Sequence, residues 1–251
     1  MISIDENCIL ILFIDIICIK FIYKVIFVSV IKMHKIIQNL QTIENNIQTN
    51  LDNLNIINHT KIIAVSKTFK MDKILPLIQH GHIDYGENKV QEAVEKWTDV
   101  KEKNPNIKLH LIGKLQTNKV KFAVKLFDYI HSVDSIKLAK KISDESLKLD
   151  KKIKIFIQVN IGQEAQKSGV NQDSLDNLVS FCKNTNLELV GLMCIPPLNL
   201  DPSIYFKQMS ILNKKYGFID LSMGMSSDYL VAAENSATYL RIGSSIFGER
   251  S

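Results

Sequence analysis

No closely spaced pair of cysteines occurs in this chain. Its four cysteines, Cys8, Cys18, Cys182 and Cys194, fit neither a metal nor a redox spacing, and a reducing, cytoplasmic compartment is the simplest account. There is no His-Glu-x-x-His segment, and His80 and His82 lie two apart, which does not put them on one helix face. A metal centre is therefore not expected. No Gly-x-Gly-x-x-Gly turn follows an early strand, which argues against a dinucleotide-binding open sheet. No Asn-Gly hairpin signal is present, which argues against antiparallel pairing. Linkers, repeats and low-complexity tracts are absent as well. The formal net charge is +5, but the lysines are scattered and mostly matched by acids along helices. That excludes a nucleic-acid stripe and leaves a mild basicity suited to a small anionic ligand.

What is present is enough apolar residue, 46% of 251, to bury one large core or two small ones. Residues 1–32 stand apart. Ile9 to Ile31 is nearly all apolar, broken by Asp15, Lys20 and Lys24. Each charge near the centre of a spanning helix costs about 2.5–3.5 kcal/mol, and Asp5 and Glu6 have the wrong sign for a signal peptide. Three readings of this extension compete: a poor membrane anchor, an added structural element, and an over-extended start with Met33 as initiator. The third is preferred, so no firm membrane association is expected.

From Met33 a folded pattern begins. Ile36, Leu40, Ile43, Ile47, Leu51 and Leu54 recur at helical spacing. Strands are then expected at 61–67, 83–87, 108–113, 129–134, 153–161, 187–195, 219–225 and 239–243. Helices are expected at 71–80, 88–98, 117–127, 135–149, 172–184, 203–216 and 228–236. Strand–helix alternation of this kind implies a parallel sheet. Eight such units suit an α/β (β/α)8 TIM barrel over 33–251, with a doubly wound open sheet as the alternative.

Polar clusters sit at the expected strand ends, where barrels place their chemistry. Ile62-Ile63-Ala64-Val65-Ser66-Lys67 is an apolar run ending in lysine. Lys67 is either a solvated charge or a nucleophilic amine. Ser226 and Ser227, then Gly243, Ser244 and Ser245, follow the last two strands, where phosphate sites are common. Ordinary turn chemistry is the bland alternative. Arg241 faces either a structural ion partner or a heteroaromatic nitrogen that it keeps unprotonated. Glu87 and Asp228 read as structural carboxylates, and Trp97, Cys182 and Cys194 as core.

Six ordered motifs carry a resemblance. They are Ala64-Val65-Ser66-Lys67; Gly86-Glu87-Asn88; His110-Leu111-Ile112-Gly113 with Gln116 and Asn118-Lys119; Gly191-Leu192-Met193 before Pro196; Ser222-Met223-Gly224-Met225-Ser226-x-Asp228; and Arg241-Ile242-Gly243 with Ile246-Phe247-Gly248. Together, from Met33 to Arg250, they resemble the pyridoxal phosphate homeostasis protein family, whose barrel is similar to the N-terminal domain of alanine racemase. The resemblance implies pyridoxal 5′-phosphate held as a Schiff base on Lys67. It implies Ser226, Gly243 and Ser244 around the phosphate, Arg241 at the pyridine nitrogen, and Asn88 near the ring. It implies a role in vitamin B6 homeostasis without catalytic turnover, with transient contact to pyridoxal-phosphate enzymes, as a cytoplasmic monomer. Two departures stand out. Residues 1–32 have no family counterpart, and Glu234-Asn235-Ser236 replaces a usual glycine, where Asn235 is expected to take the left-handed conformation.

Two other functions remain open. A pyridoxal-phosphate racemase needs a second acid/base on the opposite cofactor face. Alanine racemase takes it from a separate β domain, for which no sequence is expected beyond Ser251. A Schiff-base aldolase would use Lys67 without a cofactor.

Overall fold

The computed structural model describes residues 34–164 and 166–249. The expectations for residues 1–32 lie outside the described residues. The first element is helix α1 (Lys35–Asn53), in which Ile36, Leu40, Ile43, Ile47 and Leu51 form one buried stripe. Its start is capped by His34, whose Nδ1 accepts from the Ile36 amide at 3.3 Å.

Strands and helices then alternate: β1 (Lys61–Val65), α2 (Met71–Gln79), β2 (Asp84–Glu87), α3 (Val90–Lys103), β3 (Lys108–Leu111), α4 (Val120–Leu126), β4 (Tyr129–Val133) and α5 (Ile136–Lys148). The second half continues with β5 (Lys154–Val159), α6 (Gln172–Lys183), β6 (Glu188–Cys194), α7 (Pro202–Lys215), β7 (Asp220–Ser222), α8 (Tyr229–Glu234), β8 (Tyr239–Ile242) and α9 (Ser244–Phe247). Each strand pairs in parallel with the next, and β1 pairs with β8, Ile63 opposite Arg241. The sheet is a closed eight-stranded barrel, not an open doubly wound one.

The period of two along a strand separates two cores. Ile62 and Ala64 of β1, like Leu240 and Ile242 of β8, point outward into the large layer under the helices. Ile63, Tyr129, Phe156, Met193 and Tyr239 point inward and fill the lumen. Helix α1 covers the seam side. Asn50 donates to Glu234 at 2.8 Å and Asn39 to the Ile246 carbonyl at 2.9 Å. Among the described residues, no helix is long and apolar enough to cross a membrane.

Element ends differ from expectation for identifiable reasons. β7 spans three residues instead of 219–225, because Gly224 takes φ +87° and turns the chain off the sheet. α3 runs on to Lys103, with Val90, Ala93 and Trp97 buried along it. The expected helix 117–127 opens with a separate 3-10 turn, Thr117–Lys119. The left-handed residue after α8 is Ser236, at φ 68°, while Asn235 keeps φ −96°. The expectation for Asn235 is thus corrected by one position.

Candidate functional site

Alternation decides which side chains reach the carboxyl rim. Ile63 faces the lumen, so Val65 and Lys67 follow it on the same side. Tyr239 faces the lumen, so Arg241 and Gly243 do too. Asp84 and Gly86 lead likewise to Asn88. These residues meet in a cavity of about 370 Å³. Lys67, Asn88, Ser226, Arg241, Gly243 and Ser244, all singled out from the sequence, line it together. Val65, Phe69, Ile112, Ile195 and Met225 supply apolar walls, and Ser227 a further hydroxyl.

Arg241 forms part of the cavity floor and is 4% exposed. Burial is the main influence on its guanidinium and works against the charge; Cys194 and Asp228 favour it. Its direct partners are neutral. Nη1 donates to Ser222 Oγ at 2.8 Å and Nη2 to the Cys194 carbonyl at 2.8 Å. The structural ion pair weighed for Arg241 is therefore not what holds it in place.

The loop carrying Lys67 is fixed from below. Ser66 Oγ donates to Glu87 Oε1 at 2.8 Å, and the Ser66 carbonyl accepts from Lys96 Nζ at 2.9 Å. Glu87 is fully buried, and its Oε1 also accepts from Lys96 Nζ and Trp97 Nε1, each at 2.9 Å. Burial pushes the Glu87 carboxyl above the usual carboxylate range, against the pull of Lys96. Thr68 sits at φ 68°, costly for a β-branched residue, and its amide donates to Glu92 Oε1 at 2.5 Å. Glu87 and Glu92 are thus scaffolding for the turn that presents Lys67.

Other loops are locked similarly. A side chain at Gly113 would meet the Asn88 carbonyl at 2.3 Å, so glycine there lets Asn88 reach the rim. Asp228 Oδ1 accepts from the Met225 amide at 2.6 Å, the structural role expected of it. The Ser245 amide donates to Ser226 Oγ at 3.4 Å, joining the last two rim loops.

Sequence reasoning missed two polar residues beneath the rim. His131 and Ser222 are fully buried in the lumen, below Arg241. Ser222 was noticed only as the start of a loop motif. For His131, the signal was a histidine two residues after Tyr129 in a short strand, Tyr129–Val133, expected to be buried.

Comparison with known proteins bears on what this rim is for. Residues 38–251 match the family described as alanine racemase, N-terminal domain. The Vibrio cholerae protein named pyridoxal phosphate homeostasis protein is 39% identical over 201 residues, 76% of this chain and 85% of that protein. The chain belongs to the pyridoxal phosphate homeostasis protein family. A similar solved structure is PipY of Synechococcus elongatus PCC7942 with PLP bound. It is 32% identical, has a TM-score of 0.69, and covers 80% of this chain and all of its own. The alanine racemase of Clostridium difficile 630, at 16% identity and TM-score 0.63 over 82% of this chain and 57% of that one, shares the fold alone.

Proposed function

We propose that this chain binds pyridoxal 5′-phosphate covalently through Lys67 and holds it for intracellular supply, without turning over a substrate. One observation carries the reading. A single cavity collects an amine, a guanidinium and serine hydroxyls from separate strand ends. Those groups match a ligand bearing an aldehyde, a ring nitrogen and a phosphate at different corners. At about 370 Å³ the cavity is within the range of small-ligand sites. The family's name and the bound PLP of PipY support the same reading.

When bound, pyridoxal phosphate would supply an aldehyde able to condense with a primary amine, with loss of water. Each residue then has a task. Lys67 offers the amine from a turn that Glu87 and Glu92 hold rigid. Ser226 and Ser244 offer hydroxyl donors to the phosphate, and Gly243 lets the backbone come close. Asn88 would lie beside the ring, and Val65, Phe69 and Ile112 would shield it from water. Arg241 keeps its own proton and would donate, so it would leave the ring nitrogen neutral. A neutral ring is a weak electron sink, which suits a carrier better than a broad catalyst.

A racemase would need a second proton-exchanging group across the cofactor. The described lining supplies Lys67, an arginine, hydroxyls, an amide and apolar carbons. That set favours the carrier. A monomeric state, cytoplasmic residence and brief contact with recipient apoenzymes belong to the same proposal.

Titrating the purified protein with pyridoxal phosphate while recording the visible spectrum tests the binding. Incubation with L-alanine, followed by assay for D-alanine, tests the absence of turnover. A new visible band with no racemisation is the expected outcome. A flat spectrum would sink the cofactor assignment, and enzymatic production of D-alanine would sink the carrier role.

A further inference from the structure

Below Arg241 a line of buried polar side chains runs down the barrel, one from each of five strands. Arg241 of β8 donates to Ser222 Oγ of β7 at 2.8 Å. Ser222 Oγ lies 2.9 Å from His131 Nδ1 of β4. His131 Nε2 lies 2.9 Å from His110 Nδ1 of β3. His110 Nε2 lies 2.9 Å from Asp84 Oδ1 of β2. Ser222, His131 and His110 are fully buried. The Asp84 side chain is 14% exposed and lines a second cavity, of about 320 Å³, at the opposite end of the barrel.

The two ends fix the direction of every bond. The Asp84 carboxylate can only accept, so His110 Nε2 donates to it; arginine can only donate, so Ser222 Oγ accepts from it, and its own proton goes to His131 Nδ1, which carries none once both histidines are neutral. Burial foremost lowers the pKa of both histidines, so each is neutral and carries one ring proton. His131 must then hold its proton on Nε2 and donate to His110 Nδ1. His110 in turn holds its proton on Nε2 and donates to the Asp84 carboxylate. The chain reads one way from cation to anion, with each donor–acceptor pair matched.

Stacking holds the rings at these angles. His110 lies on Tyr129 at 4.3 Å and 12°, and His131 on Phe156 at 4.3 Å and 25°. Barrel lumens are ordinarily filled by branched apolar side chains. Burying five polar groups instead requires that they satisfy one another. In such a series each bond polarises the next, so the carboxylate strengthens Ser222 as an acceptor for Arg241.

We propose that Ser222, His131, His110 and Asp84 are positioning residues of the cofactor site, forming a relay that aims the Arg241 guanidinium at the ring nitrogen of pyridoxal phosphate. The inference rests on the cofactor reading proposed above. None of the four lines the cofactor cavity, and Arg241 is the lining residue to which their line of hydrogen bonds leads.

The test compares pyridoxal phosphate with its 1-deaza analogue, in which a CH replaces the ring nitrogen. Full-length wild type, Ser222→Ala, Asp84→Ala and Asp84→Asn are titrated with both. The two alanine variants should weaken pyridoxal phosphate about tenfold, the scale of one hydrogen bond to a charged group, and leave the deaza analogue nearly unchanged. Asp84→Asn should restore much of the loss, since its carbonyl oxygen can still accept from His110. Equal losses for both ligands, or no loss for either, would overturn the proposal. Wild type binding neither ligand would instead remove the cofactor reading and, with it, this role. In cofactor-free wild type, ¹⁵N NMR should show both histidines as neutral Nε2–H tautomers even if the variants do not fold. A charged imidazolium or an Nδ1–H form at either position would overturn the relay itself.

Discussion

At Gly243 a Cβ would stand 3.3 Å from the Val65 carbonyl and 3.4 Å from Val65 Cβ, so there is little space for anything larger. Gly243→Val should therefore weaken pyridoxal phosphate binding more than tenfold through the lost phosphate contact, and pyridoxal binding far less. Titrations with both ligands check this, and equal losses would move the phosphate elsewhere. Glu87 acts one layer below. Removing it as Glu87→Ala strips a buried partner from Lys96, whose side chain is 10% exposed. A cost of about 3 kcal/mol in urea unfolding is expected, and no measurable cost would contradict the scaffolding role. The places of Lys67, Arg241 and Gly243 at strand ends were legible from the sequence pattern, while their roles came from the family resemblance. The partnership of Ser222, His131 and His110 was not. It depends on which strands face each other across the lumen, which no local pattern encodes.

Elements were legible where a hydrophobic period ran uninterrupted and less so where loops took over. The buried stripe of α1 was read nearly residue for residue. β7 was overextended because Met223 and Met225 continue an apolar pattern after hydrogen bonding has turned at Gly224. The end of α4 illustrates a cap beyond reach of local reading. Lys151, from the loop after α5, donates Nζ to the Phe127 carbonyl at 2.7 Å and the Lys125 carbonyl at 3.1 Å. Burial, helped by Lys101, pulls its pKa down from 10.5 to about 8. The folded value lies below the unfolded one, so between these pH values the unfolded chain binds the extra proton. Raising pH through that window favours the folded state. Lys151→Ala should lose about 1 kcal/mol at neutral pH, and its deficit should widen between about pH 8 and 10.5. Urea unfolding at several pH values measures this; a deficit that narrows with rising pH would contradict the assignment.

For the whole molecule, βα alternation foretold a parallel sheet, and the count of eight units with no Gly-x-Gly-x-x-Gly turn favoured the closed barrel over an open doubly wound sheet. Closure is achieved by β1 on β8, within residues 61–242. A chain starting at Met33 is accordingly expected to fold and bind pyridoxal phosphate like the full chain. Loss of folding in that shortened protein, seen by circular dichroism, would show that residues 1–32 contribute to the barrel. The proposed function requires the barrel to place one amine, that of Lys67, in the same cavity as Ser226, Gly243 and Ser244. Borohydride reduction of the full chain loaded with pyridoxal phosphate, followed by peptide mass mapping, tests it most directly. A single phosphopyridoxyl adduct is expected on the peptide carrying Lys67, and none in Lys67→Ala. An adduct on another lysine in the wild type, or no adduct despite bound cofactor, would contradict it.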